Sequence, residues 1–549
     1  MSVPKKDFAV IMVLEKVTLI SNNQPFTIYT LETTPLTSAD LVLLNGNIIT
    51  MNPKMPTAQA IAVKGDRIIH VGTNQETQQF ISENTKTISL DGRTVTPGFI
   101  DTHTHVVDYG RMLTWLNLEG SSSIKEIQTL LTERVKKMGS GKWVLGRALN
   151  PDGLLEKRLP TRQELDMATP DNPVVFYCQS GQACVINSKA LEAAKISQQN
   201  NPGIKRTLTG EPTGVLSDHA TNLVWNVIPE PTEQELFEAT KLALKKMVQY
   251  GITSIHWIVL SKAELPIIRQ LVESGFLPLR VYLIVPVNLL DLAINLKQLE
   301  NDQFKFGGAV IFSDGYLASR TAALLEPYSD NPTEKGKMLY PRNEMRTLAN
   351  KIQAAGLQLI IHAVGDKAVT EALTVIQHAN QNPVVPRPRI EQAAVLNQRL
   401  IQQIKEANIS VSLQPCVVVS EFSVWSAAEH LGEKRVRWAF PVKDLLSCGV
   451  LVSAGSDCPM EPLNPLLGVK AAVKRDGMQN VTVFEALQMY TIFGAQASLE
   501  LADKGSIEQG KLADLAVLSN DPAAVAVDEL GKISVSLTIL GGACICSKS

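Results

Sequence analysis

The chain has 549 residues, of which 45% are hydrophobic and 19% are charged, and its formal net charge is −2. This length exceeds what one hydrophobic core normally serves, so we expect more than one domain. The near-neutral charge gives no support to nucleic acid as a partner, and the first apolar run, FAVIMVL, is too short to span a bilayer. The 7 cysteines form no C-x-x-C pair and are too sparse for a disulfide scaffold, so we expect a reducing compartment, the cytoplasm. We also expect no membrane partner.

Both ends of the sequence carry patterns typical of β-strands. Near the start, QAIAVKGDRIIHVG places Gly65-Asp66 between two β-rich segments, which predicts a hairpin. Near the end, GKLADLAVLS and ISVSLTILGGACI are short, rich in β-branched residues and interrupted by glycine. We therefore predict a small β-sandwich formed by residues 1–96 together with residues 491–549.

The middle of the chain alternates between apolar runs and segments with helical periodicity. The eight runs are GFIDTHTH, GITSIHW, RVYLIV, GGAVIFSDG, LQLIIHAVGD, RIEQAAV, NISVSLQP and GVLVSAGSD. Eight strands that alternate with helices predict a (β/α)8 barrel, an α/β fold, over residues 97–490. An insertion at about residues 120–231 contains its own strand candidates, WVLGRA and PVVFYCQ.

Polar residues lie at or near the carboxyl ends of these runs, RVYLIV excepted, at the barrel face where active sites are assembled. They are His103 and His105, His256, Asp314, His362, Gln392, Gln414 and Asp457.

His103 and His105 form the first candidate metal site. Residues two apart in a strand share a face, so both imidazoles point the same way and suit a divalent ion of the zinc type. The alternative is a structural pair at a turn. His362 is the candidate third ligand, although a lone histidine is more commonly held by a backbone carbonyl.

Two carboxylates and an arginine complete the candidate set. Asp457 could complete the metal site and take a proton from bound water, or it could cap a turn before Pro459. Asp314 and Arg320 lie on the loop after the fourth run. Arg320 could orient a substrate carboxylate or carbonyl, or it could simply pair with Asp314.

Several motifs in order resemble the amidohydrolase superfamily, especially its branch of metal-dependent hydrolases similar to N-substituted formamide deformylase. They are TPGFIDTHTHV, SDGYLASRTAALLEPYSD, IHAVGDKAV, RIEQAAVL, SAGSDCPMEPLNPLLGVKAAVKR and GSIEQGKLADLAVL. The resemblance implies a (β/α)8 barrel with a β-sandwich from both chain ends, and hydrolysis of C–N bonds. It also implies metal ligands at His103, His105, His362 and Asp457.

The chain departs from this family pattern at three positions. The lysine that usually bridges two metals is Val310, the usual histidine of the sixth strand is Gln392, and a common glycine-histidine step is Gly181-Gln182. Valine cannot bind a metal, and an amide is a poor zinc ligand beside histidine. The remaining candidate ligands are His103, His105, His362 and Asp457. They resemble the one-metal layout of the deaminase-like members, so we expect one Zn²⁺ or another divalent ion.

We therefore predict a hydrolase that acts on an amide, formamide or related non-peptide C–N bond of a small molecule. Gln392, Gln182, Arg320 and Asp314 are the predicted substrate contacts. The alternative is a catalytically silent relative that keeps the fold as a binding or regulatory protein. Trp425 and Trp438 would suit an aromatic substrate or ordinary loop packing, and the sequence leaves a homo-oligomer open.

Overall fold

In the computed structural model of this chain, the described residues are 11–21, 24–34, 38–179, 183–379, 386–424, 426–475 and 477–547, of which 11–34 are described by their backbone alone. The strands are β1 Ile11–Ser21, β2 Gln24–Thr34, β3 Leu41–Leu44, β4 Asn47–Ile49, β5 Thr57–Ala58, β6 Ala60–Lys64, β7 Arg67–Gly72, β8 Lys86–Ser89, β9 Thr94–Pro97, β10 Phe99–Thr104, β11 Leu116–Asn117, β12 Val144–Leu149, β13 Val174–Cys178, β14 Ala183–Ile186, β15 Ile204–Arg206, β16 Pro212–Ser217, β17 Ile252–Ile258, β18 Arg280–Pro286, β19 Phe304–Phe312, β20 Gln358–Ala363, β21 Arg389–Gln392, β22 Ser410–Leu413, β23 Leu451–Ala454, β24 Leu515–Leu518, β25 Val535–Leu540 and β26 Ala543–Ser547.

The helices are α1 Asn74–Thr77, α2 Val106–Thr114, α3 Ile124–Met138, α4 Arg162–Ala168, α5 Ser188–Ala193, α6 Thr221–Trp225, α7 Glu233–Val248, α8 Glu264–Glu273, α9 Leu290–Ala293, α10 Arg342–Ala354, α11 Asp366–Ala379, α12 Gln398–Glu406, α13 Pro415–Ser423, α14 Ala427–Val436, α15 Val442–Ser447, α16 Pro465–Val473, α17 Val483–Met489 and α18 Ile492–Ala497. Within the described part of the chain, no helix has the length and apolar character needed to cross a bilayer.

A nearly closed parallel barrel forms the centre of the larger unit. Its eight strands follow the order β10-β17-β18-β19-β20-β21-β22-β23, and a parallel bridge between Thr104 and Cys458 joins the first strand to the segment after the last. Strands of a parallel barrel are covered on both faces, which explains why they read as continuous apolar runs. All eight predicted runs lie on these strands, so the predicted (β/α)8 barrel is confirmed.

Strands from the two ends of the chain form a sandwich, as the predicted fold class has it, whereas β1 and β2 pair with each other in a separate two-stranded sheet. One sheet has the order β7-β6-β3-β8, and the other has the order β26-β25-β24-β9-β4-β5. The second sheet joins the two ends directly, because Val95 pairs with Val517 between antiparallel strands. Buried side chains of both sheets, including Leu43, Ile61 and Leu515, share one hydrophobic core.

The insertion forms a second compact unit, Val107–Ala243. Its mixed sheet has the order β11-β12-β13-β14-β16-β15, and the two predicted strands WVLGRA and PVVFYCQ correspond to β12 and β13. The unit is wider than residues 120–231 because it includes nearly all of α2 and the larger part of α7.

Candidate metal centre

His103 and His105 lie at the carboxyl end of β10 with their rings together. The ring centroids are 5.3 Å apart, and the ring planes meet at 89°. Both residues are buried, with 4% and 8% of their surface exposed. The alternation of side chains in a strand brings them to one face, as the H-x-H spacing predicts.

Asp457 reaches the same point from the segment after β23. Its Oδ1 lies 3.6 Å from His103 Nε2 and 3.3 Å from His105 Nε2. Its backbone N–H donates to the His103 carbonyl at 2.8 Å, which fixes the two segments side by side. Asp457 has a φ of 60°, a conformation that non-glycine residues rarely adopt and that is often found at functional sites.

These three side chains form a group that could hold one cation. One ligand atom from each lies within 4.8 Å of the others, and this is the one such group of three found among the described His, Cys, Asp and Glu residues. Two imidazole nitrogens and a carboxylate oxygen at this spacing suit a small divalent ion of the zinc type.

Hydrogen bonds at the far side of each ring turn Nε2 toward Asp457. His103 Nδ1 lies 2.8 Å from Glu391 Oε2, and His105 Nδ1 lies 3.0 Å from the Ile258 carbonyl oxygen. Both partners are acceptors, which assigns the proton to Nδ1 and leaves Nε2 as the electron-pair donor. Metal-binding histidines are commonly held in this way, so the site fits a metal on its own geometry.

Glu391 is in turn held by a buried arginine. Arg389 Nε lies 2.5 Å from Glu391 Oε1, and both side chains are fully buried. Burial alone would raise the pKa of Glu391, but the charge of Arg389 and the hydrogen bond from His103 lower it overall. Arg389 also contacts His256 Nδ1 at 2.6 Å and donates to the Thr102 carbonyl. Neither Glu391 nor Arg389 is among the site residues predicted from the sequence.

His362 lies at the end of β20 and is also buried, but it is outside the close group of three. Its Nδ1 is buried and has no hydrogen-bond partner among the described residues. Burial, reinforced by the charge of His103, lowers the pKa of His362 to about 4, so the ring is neutral at neutral pH. A neutral imidazole with an unpartnered buried nitrogen can bind a metal or a substrate hydrogen.

Val310, which occupies the position of the metal-bridging lysine of two-metal relatives, lies in apolar surroundings. Val310 packs in a buried cluster with Ile258, Tyr282, Ile284 and Ile360. These side chains offer no carboxylate or imidazole to a second metal.

Gln392 ends β21 and is 5% exposed. Its φ of 72° lies in the left-handed region, as does that of Asp457. Its amide can donate and accept hydrogen bonds, so it remains a candidate substrate contact.

Asp314 and Arg320 do not form the ion pair that the sequence left open. Asp314 is buried, and its carboxylate accepts backbone N–H groups of Ala323, Val364 and Gly365 at 2.8–2.9 Å. Burial raises the pKa of Asp314 to about 6 despite these bonds. Arg320 pairs instead with Asp330 at 2.6 Å, since the buried oxygens of Asp314 are already occupied. The remaining predicted contact, Gln182, lies outside the described residues, as does Trp425.

Comparison with known proteins assigns this chain to a protein family. The sequence pattern that defines the amidohydrolase family matches residues 86–546 of this chain. The putative amidohydrolase YtcJ of Bacillus subtilis is 32% identical over 92% of this chain and 99% of its own length. N-substituted formamide deformylase of Arthrobacter pascens is 29% identical over 92% of this chain and 97% of its own length.

A solved structure supports the same assignment. The crystal structure of an uncharacterized metal-dependent hydrolase from Pyrococcus furiosus is 29% identical and has a TM-score of 0.72, over 88% of this chain and 99% of that one. The chain belongs to the amidohydrolase family.

Proposed function

We propose that this protein is a single-metal hydrolase that cleaves a non-peptide C–N bond in a small molecule. The observation that carries the proposal is the convergence of His103, His105 and Asp457, with both Nε2 atoms directed at Asp457 by hydrogen bonds on the opposite side of each ring. The formamide deformylase relative supports the choice of a C–N bond, and the Pyrococcus furiosus relative supports metal dependence.

The metal would be held by His103, His105 and Asp457, with His362 as the fourth candidate ligand. Nitrogen ligands together with one carboxylate favour Zn²⁺. When bound, the metal would supply Lewis-acid activation of water and of the scissile carbonyl.

The residues of the chain supply proton transfer and orientation. Burial would raise the pKa of Asp457, but the neighbouring imidazoles of His105 and His103 lower it overall. Asp457 is therefore ionised at neutral pH, and its carboxylate can accept a proton from the attacking water. Gln392, at the end of β21, can hydrogen-bond the substrate instead of binding a metal.

A catalytically silent protein is the competing function, and a specific observation favours it. Val310 and Gln392 replace two residues that two-metal relatives use, and the cluster around Val310 is apolar. The three-residue donor group argues against a catalytically silent protein. A chain that had lost its activity would have no reason to keep the hydrogen bonds that orient His103 and His105.

The decisive experiment combines metal loading with substrate screening. The protein is stripped with a chelator, reloaded with Zn²⁺ and tested on N-formyl, N-acyl and cyclic amide compounds. We expect turnover that depends on the metal, and we expect His103→Ala to lose both metal and turnover. His378→Ala, which changes an exposed histidine on α11, is the matched control and should retain both.

Turnover by His103→Ala would refute the assigned role of the site. Absence of both metal and turnover in the wild-type protein would favour the silent alternative.

A further inference from the structure

A large cavity lies in the barrel unit, beside the helices that follow the last three barrel strands. Its volume is about 1020 Å³, which is ample for a small organic molecule. Its wall is largely apolar and includes Ile401, Val418, Val419, Phe422, Trp438 and Leu467. His103, His105, His362 and Asp457 are not among the lining residues of the described chain, so the cavity is distinct from the metal donor group.

One end of the cavity nevertheless reaches the rim that carries the metal donors. Glu461, which lines it, follows Asp457 by four residues, and Cys416 follows the end of β22 by three residues. Glu461 accepts a hydrogen bond from Ser420, another lining residue. Burial, with a smaller contribution from the charge of Asp457, raises the pKa of Glu461.

Two arginines give the cavity wall a positive charge. Arg437 lies over the ring of Trp438 at 4.6 Å, and Arg475 lies over the ring of Phe422 at 5.4 Å. Arg475 donates from both terminal nitrogens to the carbonyl oxygens of Ala439 and Phe440, so its hydrogen-bonding groups are occupied. Arg437 has no such bond among the described residues and is exposed, so it is the guanidinium available to a ligand. The lining lysines differ, because Lys470 and Lys474 both pair with Asp528.

An apolar wall with an available guanidinium at Arg437 suits an amphipathic anion. The apolar surface would bury a hydrocarbon or aromatic body, and a guanidinium would bind an acidic group. A neutral polar molecule would gain little from either feature. Because Glu461 follows Asp457 by four residues, a ligand that binds in this cavity and reaches the metal donors would extend past Glu461.

We propose that this cavity binds the apolar part of the substrate, and that the substrate is an amphipathic organic acid with an aromatic or long aliphatic body. This inference rests on the proposed hydrolase function, because it places the scissile C–N bond at the metal donors and the remainder of the molecule in the cavity.

The first test uses a fluorescent aromatic anion, 8-anilinonaphthalene-1-sulfonate, and two matched valine variants. Val419 lines the cavity and is 51% exposed, whereas Val424 is 57% exposed near the end of the same helix and does not line it. Val419→Trp should fill the cavity and weaken probe binding about tenfold, while Val424→Trp should leave binding unchanged. Equal binding by the two variants would overturn the inference.

A second comparison tests the acidic group. N-phenyl-1-naphthylamine has the same aromatic body without the sulfonate, so we expect it to bind more weakly than the anion. Arg437→Gln should remove most of this preference because it removes one cavity guanidinium. Equal affinity for both probes in the wild-type protein would contradict an acidic ligand.

These binding measurements need neither metal nor turnover, so they are independent of the proposed function. In the active enzyme, Val419→Trp should lower the ratio of kcat/KM for bulky over small substrates about tenfold, and Val424→Trp should not. If the probe results hold but no metal-dependent turnover is found, the hydrolase proposal fails while the cavity remains a ligand site. If turnover is found but the ratio does not change, the substrate inference fails alone.

Discussion

Glu391 Oε2 lies 2.8 Å from His103 Nδ1 inside the barrel, where the exposed fractions of the two side chains are 0% and 5%. This contact fixes which nitrogen of His103 faces Asp457. The contact joins two barrel strands, β10 and β21, through residues that are 288 positions apart in sequence. We infer that Glu391 is a positioning residue for the metal centre.

Glu391→Gln should weaken metal binding without abolishing it. The amide can still accept a hydrogen bond from His103, but it lacks the negative charge that strengthens the histidine as a donor to the metal. Changes of this kind at metal-orienting residues typically cost about 10–100-fold in metal affinity. Zn²⁺ titration against a competing chelator measures the change.

Glu371→Gln is the matched control for this experiment. Glu371 also pairs with an arginine, Arg342, at 2.5 Å, but it lies on α11, away from the donor group. Its substitution should leave metal affinity unchanged. Wild-type affinity in Glu391→Gln, in a protein that is still folded, would show that this carboxylate does not position His103.

Val310→Lys should destabilise the protein and should not recruit a second metal. The lysine would enter the apolar cluster of Ile258, Tyr282, Ile284 and Ile360, where its ammonium group has no carboxylate partner. An unpaired buried charge costs about 3 kcal/mol or more of stability. Urea unfolding gives the loss, and Val310→Met separates the effect of charge from that of side-chain size.

A stable Val310→Lys protein that binds two metal ions per chain would contradict this prediction. That result would mean that the barrel still contains the geometry of a two-metal site.

The buried carboxyl of Glu421 should make stability depend on pH. Burial, with a smaller contribution from Glu461, raises the pKa of Glu421 from the ordinary 4.5 to about 7, although the Ala318 backbone N–H lowers it in part. The folded protein therefore holds this proton more tightly than the unfolded chain does. The associated stability is complete below about pH 4.5 and is lost as the pH rises through 7.

Glu421→Gln removes this titration. Relative to the variant, the wild-type protein should lose up to about 3 kcal/mol of unfolding free energy between about pH 5 and pH 8. Urea unfolding of both proteins across this range provides the comparison. A difference that stays constant with pH would mean that Glu421 is already ionised in the folded protein at about pH 5.

The barrel could be predicted from sequence because each strand carries its own signal. LQLIIHAVGD is mainly apolar and places His362 at the rim, and six of the other seven runs also carry a polar residue near their carboxyl end. The sandwich could be predicted because hairpin signals such as Gly65-Asp66 are local. The shared hydrophobic core of its two sheets could then be inferred from the β-rich pattern at both ends.

Contacts between distant parts of the chain could not be read in this way. Nothing in RIEQ shows that its glutamate meets His103, although an acidic residue inside a buried strand is a usable signal of a special role. The partner of Arg320 was also missed, because the loop conformation decides that Asp330 rather than Asp314 is within reach.

Metal content per chain tests the central claim most directly. Purified protein, stripped and reloaded with excess Zn²⁺, is freed of unbound metal and analysed by inductively coupled plasma mass spectrometry alongside His103→Ala. We expect about one ion per wild-type chain and almost none in the variant. Two ions per wild-type chain, or an equal content in both proteins, would contradict a single metal held by His103, His105 and Asp457.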